Sequence, residues 1–316
     1  MRENSQYWNQ QKSNFLLLTP DDRTRALENA EQLANLSKIS NNIYDWIPSD
    51  ITRLAIYCSD ACLDTNENTL WHENNFQRFS FSGSKKRNDA LVLAISETSD
   101  CLVAACDVAD ALGAGGFKPP AQTELADFID LLNKALEIVY SMPEYYEIVL
   151  LHTGLIIPYL CKPPSVGSGS AIQLPGALLL PANVPAVVLA ECWIHEALHT
   201  ELHLVEWFEG VPPAYATTDI PTPWRTINRP ASLLLHGAYV FSSLLKFMNA
   251  MKSLYKQVPL HWHLSATRGT QILVNNIDET IAFRENQIAD ALRYLQDVAS
   301  FTRIGKNTLN LIRKNI

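Results

Sequence analysis

The stretch Ala190-Glu191-Cys192-Trp193-Ile194-His195-Glu196-Ala197-Leu198-His199-Thr200-Glu201-Leu202-His203 carries the most information in the chain. Residues four apart on an α-helix lie one turn above each other on the same face, so His195 and His199 can aim imidazole nitrogens at one point. Nothing in the stretch breaks a helix, and Ala197 and Leu198 favour one. Ile194, Leu198 and Leu202 supply a buried helical context. Together these features make His195-Glu196-x-x-His199 a candidate for two ligands of a divalent metal. The alternative is a pair of core histidines that satisfy each other or nearby carbonyls.

Two ligands do not make a site, because zinc and non-haem iron normally take at least three protein donors. The extended peptidase pattern His-Glu-x-x-His-x-x-Gly-x-x-His fails here, since Leu202 holds the glycine position and Val205 the final histidine position. A glutamate on a later helix fares no better, because none occurs between Glu209 and Glu279. Asp219 sits in a Pro-rich loop with nothing to fix it. His203 is a rival, but three successive helical turns cannot all reach one atom without bending the helix. The preferred third donor is His236, in Leu233-Leu234-Leu235-His236-Gly237-Ala238-Tyr239, a single polar residue on an otherwise apolar helix. Gly237 removes a side chain where two backbones could come close. His261 and His263, either side of Trp262, are read as loop residues. Before the His236 helix runs Pro223-Trp224-Arg225-Thr226-Ile227-Asn228-Arg229-Pro230. A guanidinium is a rigid fork for a carboxylate, so Arg225 and Arg229 are candidates for an anionic co-substrate as well as for ordinary ion pairs.

Around these motifs the chain reads as mainly α with a small β-sheet, an α+β protein whose metal-bearing core helix packs against a second long helix. The helix with His195 should run from Val184 to Trp207 and end at Gly210 and Pro212-Pro213. A second long helix is expected from Ala231 to Leu254, and a third, amphipathic and charged, from Asp278 to Phe301. Upstream, Leu125, Phe128, Leu131, Leu132 and Leu136 recur at helical spacing after Thr123. Glu147 to Leu151 and Gly154 to Ile157 read as short strands, and Ala171-Ile172 with Ala177 to Leu180 as a strand pair around Pro175-Gly176. The Ala-, Leu- and Val-rich run Asp89 to Leu112 reads as buried helix. Gly113 to Gly116 and Pro119-Pro120 interrupt it. That break suggests an N-terminal helical region, 1–115, and a metal-binding catalytic region, 116–316, within two domains or one continuous one. Pro20-Asp21-Asp22 opens a further helix, and Asn-rich connections follow at 40–42 and 64–75.

Composition narrows the function classes. At 316 residues with 47% apolar residues, the chain can bury a large core. Lys and Arg total 25 against 33 Asp and Glu, a formal charge of −8. That surplus repels phosphate backbones, and Lys85-Lys86-Arg87 is only a solvated turn, so nucleic acid is not an expected partner. The six cysteines, at 58, 62, 101, 106, 161 and 192, form no Cys-x-x-Cys pair and are read as reduced thiols. The polar start lacks the order of a signal peptide, and no apolar run spans a bilayer; the expectation is a cytoplasmic protein without membrane attachment.

Glu191 through His199, Pro223-Trp224-Arg225, Arg229-Pro230 and Leu235-His236-Gly237-Ala238-Tyr239 together resemble the HExxH-containing peptide-modification proteins. Those proteins are associated with ribosomally synthesised, post-translationally modified peptides. The resemblance covers roughly 167–247, and three separated motifs are more specific than the first alone. It implies an oxidoreductase, an iron(II)- and 2-oxoglutarate-dependent dioxygenase that β-hydroxylates a side chain of a ribosomally synthesised precursor peptide. By position, it makes His195, His199 and His236 the iron ligands and Arg225 or Arg229 the co-substrate clamp. Glu196, the catalytic candidate, then need not be a base and is free to hydrogen-bond a ligand or the peptide. Two alternatives stand beside it. One is a zinc (Zn2+) HExxH metallopeptidase in which Glu196 activates bound water. The other is a non-catalytic binding or maturation protein.

Overall fold

In a computed structural model of the chain, the described residues are 76–81, 89–99, 102, 105, 106, 109, 116–162, 167–171, 176–209, 213–225, 227–259, 262 and 276–316. They form a mainly helical protein with a small mixed sheet. Two compact units are distinguished: one takes in the described residues up to Cys161 together with Gly167–Phe208, the other Glu209–Ile316. The helix expected from Pro20, the Asn-rich connections, Lys85 to Arg87, Cys58, Cys62, Cys101, His261 and His263 lie outside the described residues.

The first unit is built on a sheet of four strands in the order β1 (Phe76–Ser80), β2 (Asp89–Leu93), β3 (Leu155–Tyr159) and β4 (Ala177–Pro181). β1 and β2 run antiparallel, whereas β2–β3 and β3–β4 are parallel. Parallel strands need long crossovers. Between β2 and β3 come α1 (Glu124–Tyr140) and α2 (Pro143–His152), and α3 (Ala186–Glu209) follows β4. α1 confirms the Leu125-to-Leu136 pattern and buries Phe128, Leu132, Ala135, Leu136 and Val139.

Two expectations about this unit are corrected. Asp89 to Leu93 is a strand and not the start of a helix. Ala90, Val92 and Leu93 are all buried in the sheet; their composition suits a strand covered on both faces as well as a core helix. Glu147 to Leu151 is helical. Pro143 starts α2 at a position that needs no N–H, and Tyr145, Ile148, Val149 and His152 are its buried residues, at helical spacing. The β-branched Ile148-Val149 pair gave the impression of a strand. β4 pairs with β3, Leu155 to Tyr159 residue by residue with Ala177 to Pro181, while Ile172 of the expected strand pair lies outside the described residues.

Seating of α3 depends on Trp193. Its indole lies 5.9 Å, centroid to centroid, from each of Phe79 and Phe81, and its Nε1 donates to Thr153 Oγ1 at 2.8 Å. A fully buried tryptophan with its polar edge satisfied is worth about 3–5 kcal/mol against alanine.

The second unit contains β5 (Ala214–Tyr215), α4 (Ala231–Ala250), α5 (Lys252–Tyr255), α6 (Ile277–Val298), β6 (Ser300–Phe301) and α7 (Arg303–Asn315). The expected second helix ends four residues early, Met251 separating α4 from α5. The third ends at Val298 because Ser300 and Phe301 pair with Tyr215 and Ala214. Helix α4 is apolar and long enough to cross a membrane, but 83% of its most apolar window is buried, as in a core helix. Asn276 caps α6 by accepting from Glu279 N, and Thr302 caps α7 by accepting from Gly305 N.

Gly305 lies in the first turn of α7, against the carbonyl of Pro213. A methyl group there would stand 2.0 Å from that oxygen, a backbone atom with no rotamer to yield. Gly305→Ala should therefore destabilise the protein by about 1–3 kcal/mol. Urea denaturation of the variant beside the parent checks this; an unchanged midpoint would disprove the close approach.

Candidate metal centre

Helix α3 is buried almost all round. Of the residues from Val187 to His203, only Cys192, His195 and His199 are partly exposed, and their spacing of three and four puts them on one stripe. Seating Trp193 on the sheet turns that stripe outward. The open side of the helix is thus the side that carries the histidine pair.

The pair converges. His195 Nε2 and His199 Nε2 are 3.2 Å apart, with ring planes at 65°. Two imidazole nitrogens about 2.1 Å from one ion lie roughly 3.0 Å apart at a right angle and about 3.4 Å apart at the tetrahedral angle. The observed separation falls between these values, so the two rings fit a shared ion as they stand. The same distance also serves a hydrogen bond between a protonated and an unprotonated nitrogen. His203, the rival donor, is buried and lies nearly parallel to the His199 ring at 22°, centroids 6.3 Å apart. Its ring is stacked on that of His199 and does not converge with it.

Glu196 is 3% exposed, and its Oε1 is 3.8 Å from His195 Nε2. Ser168 Oγ donates to Oε1 at 2.5 Å and Ser170 Oγ to Oε2 at 2.6 Å. Between the serines, Gly169 makes a two-way backbone bridge to Leu179 of β4, at 3.1 and 2.8 Å. The segment is therefore extended, and residues two apart face the same way. Tyr159 Oη receives the Gly167 N–H at 2.9 Å, and Asn183 takes the Cys161 N–H at 2.9 Å while returning its own amide to the Cys161 carbonyl. The serines escaped the sequence reading; their only signal was Ser-x-Ser in a Gly-rich loop. Cys192, on the same stripe, is pushed well above the ordinary thiol range by desolvation of its sulfur, then by Glu191 and Glu196, offset in part by the neighbouring Ser168 hydroxyl. It is a neutral thiol near pH 7.

The remaining candidates belong to the other unit. His236 is buried on α4 at 2% exposure. The residue that Gly237 makes room for is Trp224, whose ring would lie 2.4 Å from an added Cβ, so the close approach is to a side chain and not to a backbone. Arg229 joins Ile220 in a two-way backbone bridge. Its Nε, and the hydroxyl of nearby Thr222, are buried without a hydrogen-bond partner among the described residues. Arg225 is exposed. Buried polar atoms without partners are costly. Among the described residues no group of three or more His, Cys, Asp or Glu gathers to hold an ion. In the first unit the fit to a metal rests on the His195–His199 pair, and in the second the fit to a carboxylate rests on Arg229.

One further polar pair was not anticipated. Glu201, on α3, contacts His152 at the end of α2, and both side chains are completely buried. Removing one member of such a pair strands the other. His152→Ala should cost roughly 3–5 kcal/mol, and His152→Leu with Glu201→Leu should recover much of that loss. Chemical denaturation of the three variants decides it: strictly additive losses would show that the two groups do not support each other.

Compared with known protein families and with curated proteins, the chain matches none.

Proposed function

We propose that this chain is an iron(II)- and 2-oxoglutarate-dependent hydroxylase, acting on the β-carbon of a side chain in a ribosomally synthesised precursor peptide in the cytoplasm. The observation that carries this reading is the convergence of His195 and His199 Nε2 to 3.2 Å on the one open stripe of α3. The sequence resemblance supplies the rest.

In this reading His195 and His199, with His236 as the resemblance implies, would hold the iron as neutral donors. Iron(II) with 2-oxoglutarate and dioxygen supplies the oxidising power to put one oxygen atom into a C–H bond, leaving succinate and carbon dioxide. The protein's share is positioning. Arg229 is favoured over Arg225 for the distal carboxylate, because its buried Nε has no hydrogen-bond partner among the described residues and Thr222 offers a hydroxyl in the same loop. Burial of every other side of α3 fixes the helix so that the two imidazoles keep their convergence.

A zinc peptidase is the second reading, favoured by a buried carboxylate 3.8 Å from His195 Nε2. Against it, both oxygens of Glu196 already accept a serine hydroxyl, which makes the carboxylate a poorer base for activating water.

The experiment is turnover by anaerobically purified protein given iron(II), 2-oxoglutarate, oxygen and short peptides encoded beside its gene. Hydroxylation predicts a product one oxygen atom heavier and an equal amount of succinate. Absence of succinate with every peptide would end the proposal, and cleavage by zinc-loaded protein that Glu196→Gln abolishes would establish the peptidase. Arg229→Ala should raise the KM for 2-oxoglutarate by roughly tenfold or more, the value of a charge-assisted hydrogen bond, whereas Arg225→Ala should change it little.

A further inference from the structure

Glu196 is a buried carboxylate whose observed hydrogen bonds include one neutral hydroxyl on each oxygen. A hydroxyl donated to each oxygen fixes the orientation of the whole carboxylate. The two serines are themselves held: Gly169 between them is fixed to Leu179 of β4 by two backbone hydrogen bonds, and Gly167 just before them is fixed to Tyr159. The position of the carboxylate is therefore set by the sheet as well as by its own helix. The charge so fixed lies beside the converging histidine nitrogens, 3.8 Å from the nearer one.

Resting on the metal-site reading above, we infer that Ser168 and Ser170 are positioning residues that hold Glu196 as a fixed negative countercharge to a cation on His195 and His199. Three neutral imidazoles leave the full 2+ charge of an ion uncompensated until an anionic co-substrate arrives. A carboxylate locked nearby offsets part of it at all times. Hydrogen-bonded groups of this kind around a metal site typically change affinity by about 10–100-fold when removed. A freely rotating Glu196 would spend the interaction on reorganisation, so the serines matter as well as the charge.

The test is cobalt(II) binding at one fixed pH, followed by its visible spectrum, with thermal melting of the metal-free proteins alongside. Glu196→Gln should weaken binding about tenfold or more. Ser168→Ala with Ser170→Ala should weaken it several-fold and alter the spectrum while the metal-free melting temperature changes little, and Ser168→Thr with Ser170→Thr should restore both. Wild-type affinity and spectrum in the double alanine variant would overturn the inference. So would an affinity loss matched by a general loss of metal-free stability that threonine does not repair. Failure of the parent protein to bind cobalt(II), or binding unaffected by His195→Ala and His199→Ala, would instead overturn the metal site itself.

Discussion

The constraint on which the candidate site depends is the roll of α3 about its own axis. Each residue turns a helix by about 100°, so whichever side chain is wedged into the sheet decides which ones look outward. Trp193 is that wedge, clasped by Phe79 and Phe81 and tied to Thr153. Two residues on, His195 lies about 200° round the axis, on the side facing away from the sheet. The indole's position thus carries information about the imidazoles, and the aromatic residues of β1 and its end belong indirectly to the candidate site.

The polar groups around the same helix divide into two kinds. Glu201 and His152 are entirely enclosed and in contact, an arrangement that spends interaction energy on specifying one packing. Beside the open stripe, Glu196 is held by the two serine hydroxyls, and His195 and His199 converge on each other.

What was legible in the sequence follows from how local its cause is. The period of Leu125 to Leu136 and the unbroken run through His199 are local, and α1 and α3 appear where expected. Asp89 to Leu93 was misread because a strand partner lies far along the chain: Leu91 and Val92 meet Leu155 and Ile156. Glu147 to Leu151 was misread because branched residues outweighed the proline four positions ahead of the run. Ser168 and Ser170 were invisible for a different reason. Their role exists only once Gly169 is bonded to β4 and α3 lies beneath, and serine in a Gly-rich loop has no periodicity to betray it. The histidine spacing and the arginine-bearing loop were visible because motif chemistry is written in the types of residues themselves.

The second unit holds a closed circuit of contacts across distant parts of the chain. Trp224 covers Gly237 and meets Phe241 edge to face at 5.2 Å. Phe241 is capped by the buried guanidinium of Arg284 at 3.7 Å, which binds Gln287, which binds the Pro223 carbonyl beside Trp224. A desolvated cation over a ring is worth about 2 kcal/mol, and every member touches the next. Such a ring has no member that evolution can exchange in isolation. A lineage that enlarges residue 237 must first shrink residue 224, and one that loses the phenyl ring exposes the underside of a buried cation. These positions should therefore drift as one heritable block, even though more than fifty residues separate its two ends.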